Sequence, residues 1–333
     1  MESNNDPEAL GWEAIDKALA PIYGDQQPLH YGTLIKYSFG GPDPLDGISV
    51  YRSDKGIPHW HYVSYGFTEL YAKESENQDY SGFGFELTMR LVRNPNEEPP
   101  AWPISLMQNF ARYVFSSGNI FEVGHYLDCN GPVALETDTE LKAVIFVEDP
   151  ELKSINTPHG KVLFLQIVCV TLDELQAAKR WNTLGVASLL NKRVPLMITD
   201  LKRRSILTEP SAVQEIEEGV LQDGSSTGSL FVTQIDYKVG ILGKCQVTLG
   251  AIAILDLQSL LPARLGHGNP LILAGGERVV RLEPAENFSC REKDGFLTIG
   301  LTRGDSEALI KNLSSKAGEY KVCDGLTIKV EKT

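Results

Sequence analysis

The stretch Lys161–Val170, KVLFLQIVCV, constrains this chain more than any other. It is a continuous apolar and β-branched run without the alternation of a half-solvated strand, so it must be buried on both faces, as a central strand. Helices are expected to flank its sheet. In Trp102–Gly118, WPISLMQNFARYVFSSG, the residues Ile104, Met107, Phe110 or Ala111, Val114 and Phe115 recur at three- to four-residue spacing. Trp102-Pro103 opens that run and Gly118 stands just past its end, the usual helix punctuation. Pro7–Tyr23 predicts another helix, with Leu10, Ile15, Leu19 and Ile22 on one side and Pro21 and Gly24 closing it.

Between these elements the sequence reads as strand after strand: Thr33–Ser38, His61–Gly66, Gly84–Val92, Gly124–Cys129 and Ala143–Val147. GGPDPLDG (40–47) and RNPNEEPP (93–100) are turn-rich loops. Thr171-Leu172-Asp173-Glu174 has the pattern of a helix cap and precedes two short helices, LQAAKRW and LGVASLLNK. A chain of 333 residues exceeds what one core serves, so two domains are expected. The acidic, Gly- and Ser-containing stretch Pro210–Gly228 lacks the strand pattern on either side and reads as the linker. The expected division is 1–209, a linker over 210–228, and 229–333, the last with short strands (FVTQIDYKVGIL, KCQVTLGAIAIL, ERVVRL, GFLTIGL, GLTIKV) and one helix from Asp305. Strands clustered together with helices packed on them make the class α+β, with two mixed-sheet domains.

A net charge of −13 disfavours a nucleic-acid surface, and the basic cluster Lys202-Arg203-Arg204 reads as a solvated rim. Five separated cysteines without a CxxC pair indicate neither a disulfide framework nor a zinc ribbon. The acidic start MESNNDPEALGWEAI is unlike a signal peptide, and no window approaches a membrane span. A cytoplasmic protein away from membranes is expected.

No nucleophile elbow, Walker loop, HExxH or paired metal cluster is present. His59-Trp60-His61 would project both imidazoles to one face of a strand, open either to a two-nitrogen metal site or to packing against backbone groups. Gly82-Phe83-Gly84 lacks the third glycine of a dinucleotide loop. The pair Glu148-Asp149 reads as solvated carboxylates at a strand end, and Leu265–Asn269 as a turn carrying His267.

In order along the chain, GGPDPLDGISVYR (40–52), PHWHYVSYGFTELY (58–71), SGFGFELTMRL (81–91), PPAWPISLMQNFARYVF (99–115), EDP (148–150), INTPHGKVLFLQIVCVTLDELQAAKRWN (155–182) and LMITDLKR (196–203) resemble the Suppressor of Fused family. The likeness covers about Gly24 to Arg204; beyond Ser229 no comparable motif is found. It implies a two-domain clamshell without catalytic activity, metal or cofactor, in which the domains close on an extended partner peptide that becomes an added strand. Animal members restrain zinc-finger transcription factors of Hedgehog signalling; bacterial relatives include immunity proteins that neutralise toxins.

In the animal proteins a tyrosine and an aspartate bind a histidine of the peptide. Tyr113 matches the tyrosine, whereas Gly124 is followed by His125 where the aspartate would stand. An imidazole in place of a carboxylate changes what the site accepts. Tyr113, Gly124, His125, Phe231 and Tyr237 are the candidate partner-binding residues, with the edges near Gly124–Cys129 and Phe231–Val239 flanking the site. Within this family-like frame His59-Trp60-His61 is expected to pack. The expected function is sequestration of a polypeptide, a basic toxin domain suiting the acidic chain. The alternatives are negative regulation of a transcription factor or signalling protein, and a hydrolase built on His61, His125 or Glu148.

Overall fold

Helix α1 (Leu10–Tyr23) turns Gly11, Ile15 and Leu19 inward. Gly11 is required there: its N–H donates to Leu70 O at 2.9 Å, and a Cβ would lie 2.1 Å from Glu69 O. The computed structural model of the protein describes residues 8–135, 137–240 and 243–332, so Pro7, the expected helix start, lies outside the described residues.

Strands β1 (Leu29–Gly32), β2 (Gly47–Ser53), β3 (His59–Tyr65) and β4 (Tyr80–Val92) follow as an antiparallel meander. After α2 (Trp102–Ser117) come β5 (Tyr126–Asp128), β6 (Leu141–Glu148), β7 (Ile155–Thr157) and β8 (Gly160–Thr171). The eight strands make one sheet, ordered β1-β2-β3-β4-β8-β6-β5, with β7 paired to β8. β8 runs parallel to β4 and antiparallel to β6, so the sheet is mixed.

β8 is the central strand its sequence demands. Leu165, Ile167 and Cys169 join Met107, Phe110, Ala111 and Val114 of α2 in one core, while Val162 and Phe164 join Ile15 and Leu19 of α1 in another. α2 ends as its glycine predicts, with Gly118 at φ +73° and its N–H bonded to Val114 O. Helices α3 (Leu172–Arg180) and α4 (Thr183–Arg193) come next, and Glu174 Oε2 accepts from Thr171 N–H at 2.9 Å as the capping pattern expects.

By its internal contacts the chain forms two compact units: residues up to Leu175 with Ala187–Thr208, and Gln176–Val186 with Glu209 onward. Beyond Gln176–Val186, the second unit comprises α5 (Pro210–Asp223), then β9 (Ser229–Phe231), β10 (Ile235–Val239), β11 (Cys245–Gly250) and α6 (Ala253–Leu265). β12 (Leu271–Gly275), β13 (Arg278–Pro284), β14 (Ser289–Lys293), β15 (Phe296–Leu301), α7 (Arg303–Asn312), β16 (Gly318–Lys321) and β17 (Leu326–Glu331) complete it. A four-stranded sheet, β10-β11-β17-β16, and a five-stranded one, β14-β15-β13-β12-β9, share a core with α6 and α7.

Several expectations give way. Thr33–Ser38 is not a strand: the pairing falls earlier, on β1, and Tyr37–Phe39 is a single 3₁₀ turn. The stretch read as a linker is helical over Pro210–Asp223, with Pro210 in its first turn and Ala212, Ile216 and Gly219 buried along one side. KCQVTLGAIAIL is a strand only as far as Gly250; its end begins α6, obscured in the sequence by Pro262. FVTQIDYKVGIL divides into β9 and β10, and Ile241 and Leu242 lie outside the described residues. Among the described residues no helix is long and apolar enough to cross a membrane.

Candidate functional site

β5 is the last strand of the eight-stranded sheet and pairs only with β6. Its approach is already held: Gly124 N–H donates to Phe146 O at 2.8 Å, and Phe146 N–H to His125 O at 2.9 Å. Gly124 has φ +89°, a left-handed conformation that suits glycine and re-aims the chain into the edge. Beside it His125 is locked to its own loop. Glu122 N–H donates to His125 Nδ1 at 3.2 Å, which places the ring proton on Nε2, 3.6 Å from Glu122 Oε2.

Tyr113 stands on α2 with 47% of its surface exposed, its ring centroid 5.7 Å from that of Phe121. Phe121 in turn stacks on Phe146 at 4.3 Å. Tyr113, Gly124 and His125 therefore border one short loop next to a sheet edge, and that loop supplies a carboxylate, Glu122, two helical turns' worth of sequence away from any motif. Only the apolar spacing of Phe121 and Val123 hinted that this loop is anchored.

In the second unit β9 and β10 are each the outermost strand of their sheet. Phe231 ends β9 with 85% of its surface exposed, a large apolar ring in water at a strand edge. Tyr237, grouped with it by sequence, faces the other way. It is 5% exposed and belongs to the core, with Arg278 over its ring at 4.7 Å and its hydroxyl donating to Glu292 at 3.2 Å. In β10 the alternation puts residue 237 inside, so Tyr237 supports the edge and does not present itself at it.

His59 and His61 are both fully buried in β3. His59 Nδ1 lies 2.7 Å from Ile57 O, so it donates there. His61 Nδ1 lies 2.7 Å from Tyr23 Oη and Nε2 3.3 Å from Asp149 Oδ2. Burial and the neighbouring Arg90 lower the His61 pKa to about 4, so the ring is neutral, with its proton toward Asp149 and the Tyr23 hydroxyl donating to Nδ1. The imidazoles pack, as the family likeness implies. Among the described residues no group of three or more His, Cys, Asp or Glu is placed to hold a metal ion.

Two charged readings are corrected. Asp149 is fully buried while Glu148 alone is exposed, because the strand ends between them and Asp149 turns onto Arg90 and Thr88. Arg203 is no rim charge: its guanidinium grips Glu174 through both Nη atoms at 2.7 Å and donates to Cys169 O. Of the hydrolase candidates, His61 is buried, whereas His125 and Glu148 face solvent.

The model of the family Suppressor of fused protein (SUFU) matches residues 41–204. Over 235 residues, 65% of this chain and 48% of theirs, it is 39% identical to the human and mouse proteins named Suppressor of fused homolog. The chain thus spans about half the length of these relatives. The crystal structure of Drosophila Suppressor of Fused is 22% identical, with a TM-score of 0.81 over 98% of this chain and 97% of its own, a likeness of fold that includes the second unit. A chain in the Sufu–Fu complex crystal structure matches at 33% identity and a TM-score of 0.59, over 63% of this chain and 98% of its own. Motifs, mixed sheet and relatives agree, and the chain belongs to the Suppressor of fused family.

Proposed function

We propose that this chain is a non-enzymatic protein-binding module that captures an extended segment of a partner by strand addition to its sheet edges, and so restrains that partner. The observation that carries this reading is the placement of the candidate segments: β5 and β9 are short, terminal strands, and Phe231 is exposed at the end of one of them. A terminal strand offers backbone donors and acceptors to an incoming chain, and neighbouring side chains select its sequence. Tyr113, Glu122 and His125 beside β5 are the selecting groups of the first unit, and Phe231 that of the second. With Glu122 and the His125 ring in place of an aspartate, the first edge suits a basic or hydroxyl-bearing side chain.

The crystal structure of a Sufu–Fu complex supports a protein as the partner class. A net charge of −13 favours a basic one. A toxin domain neutralised by capture fits that charge. Negative regulation of a transcription factor or signalling protein is the second reading, favoured by 39% identity to the human and mouse Suppressor of fused homologs.

The test is affinity capture from cells of the source organism with wild type, Asp128→Pro, which removes an N–H on the unpaired side of β5, and Phe231→Glu baits, followed by amide hydrogen exchange on the captured complex. Strand addition predicts loss of the partner with either variant and slowed exchange over 126–128 or 229–231. A partner held equally well by both variants, with those amides exchanging as in the free protein, removes the reading. The identity of the captured protein separates toxin from regulator.

A further inference from the structure

Three of the five cysteines, Cys245, Cys290 and Cys323, lie in the second unit, and three chain segments bring them to one end of its core. Cys245 opens β11 on the inward face it shares with Val247 and Leu249. Its N–H donates to Gly325 O at 2.8 Å, and it pairs in register with Leu326. Gly325 sits two residues past Cys323, in the turn that joins β16 to β17. Against Gly325 lies the ring of Phe288, so close that a Cβ on the glycine would meet it at 2.1 Å. Phe288 leads directly into β14, which carries Cys290.

The orientation of β14 follows from a second contact. Cys290 and Glu292 share one face of that strand. Glu292 accepts from the hydroxyl of Tyr237, on β10, which pairs with Val247 of β11. The face of β14 bearing Cys290 therefore looks onto the β10–β11 pair, where Cys245 points inward. Cys245 is buried, whereas Cys290 is half-buried and within reach of small solutes.

We infer that Cys245 and Cys290 form a thiol–disulfide exchange pair that a low-molecular-weight disulfide oxidises, joining the two sheets of the second unit by a covalent bond. Cys290, as thiolate, attacks one sulfur of the small disulfide and expels its other half as a thiolate; a mixed disulfide on Cys290 results. The Cys245 thiol then gives up its proton to solvent and attacks Cys290 Sγ, releasing the second small thiol. Two electrons pass from the protein pair to the small disulfide, which ends as two thiols, and excess of those thiols reverses the reaction.

The order of attack follows from the local chemistry. The two thiols act on each other: the Cys245 thiol lowers the pKa of Cys290, and the Cys290 sulfur raises that of Cys245, burial adding to the latter. Every other cysteine is shifted upward: burial pushes Cys129 up to about 11 and Cys169 up to about 12, and also raises Cys323. Cys290 is thus the thiol with the largest thiolate fraction, and thiolates are the attacking species.

The full chain is incubated with oxidised glutathione under native conditions, quenched with acid, alkylated in denaturant and mapped by mass spectrometry. The expected result is loss of two alkylatable thiols, a peptide linking Cys245 to Cys290, and recovery of both thiols with excess reduced glutathione. Cys245→Ser should stop at a glutathione adduct on Cys290, Cys290→Ser should form neither adduct nor link at Cys245, and Cys323→Ser should behave as wild type. A link to Cys323, an adduct that appears first on Cys129, or five thiols still free after the treatment overturns the assignment. Wild-type mapping decides the matter without any variant, so misfolding of one cannot leave it open.

Discussion

Arg90 and Asp149 form a fully buried bidentate pair, with Nη1 2.6 Å from Oδ2 and Nη2 3.0 Å from Oδ1. Asp149 also accepts from the Thr88 hydroxyl at 2.7 Å and the Leu152 N–H at 2.8 Å. Burial alone would raise its pKa, yet the Arg90 guanidinium holds it well below the usual carboxylate range. Removing one partner leaves an uncompensated charge in the interior, which costs about 3–5 kcal/mol. Arg90→Met is therefore expected to lose about that much stability in urea unfolding. The double variant Arg90→Met/Asp149→Leu should lose less than the sum of the two single losses, since no lone charge remains; additive losses would mean that the pair is not coupled.

Two buried groups should oppose each other as pH changes. His61 is lowered from 6.5 to about 4 by burial, so between these values the unfolded chain binds the proton and the folded one does not, and stability rises with pH. Glu86 is raised by burial from 4.5 to about 7, despite accepting from Ser64 Oγ, Thr68 Oγ1 and the N–H groups of Gly66 and Thr68. Between those values the folded chain keeps the proton, and stability falls as pH rises. Each effect is on the order of 3 kcal/mol, so the two nearly cancel in the wild type. Urea unfolding across pH 4 to 7 should show, relative to wild type, a falling curve for His61→Gln and a rising one for Glu86→Gln.

What could be read in the sequence follows from where the side chains go. Lys161–Val170 and Trp102–Gly118 reveal themselves because burial on one or both faces leaves a periodic apolar signature. Pro210–Asp223 conceals its helix because its apolar residues, Ala212, Val213, Ile216, Val220 and Leu221, are interspersed with acidic residues and with Gly219 on the inner side, a composition that also suits a linker. The family motifs lead to Tyr113, Gly124 and His125, but a motif says nothing of direction. Tyr237 illustrates the gap: whether residue 237 faces in or out is set by the register of β10 on β11, a non-local fact. Asp149 likewise takes its meaning from Arg90, 59 positions earlier in the chain.

The opposite orientations of Phe231 and Tyr237 separate binding from folding. Phe231→Glu changes an 85% exposed side chain and should alter stability by less than about 0.5 kcal/mol while abolishing partner capture. Tyr237→Ala removes a core aromatic and should cost about 3–5 kcal/mol. Thermal unfolding of both variants, with capture measured below the lower Tm, checks the pair. A stable Tyr237→Ala protein that fails to bind would return Tyr237 to the binding surface.

Gly219 should defy helix propensity. In an exposed helix interior, glycine to alanine gains about 1 kcal/mol. Here a Cβ at Gly219 would lie 2.2 Å from Trp181 Cε2, and one at Gly185 2.6 Å from Trp181 Cη2, so the same indole rests on both glycines. The ring cannot yield freely, because Trp181 Nε1 is tied to Asp223 Oδ2 at 2.9 Å. Overpacking of this kind costs typically about 1–3 kcal/mol, which outweighs the propensity gain. Gly219→Ala is therefore expected to lower the urea midpoint, and Gly219→Ala/Trp181→Leu, which makes room, to recover part of that loss. A Gly219→Ala protein more stable than wild type would mean that the indole does not sit on α5.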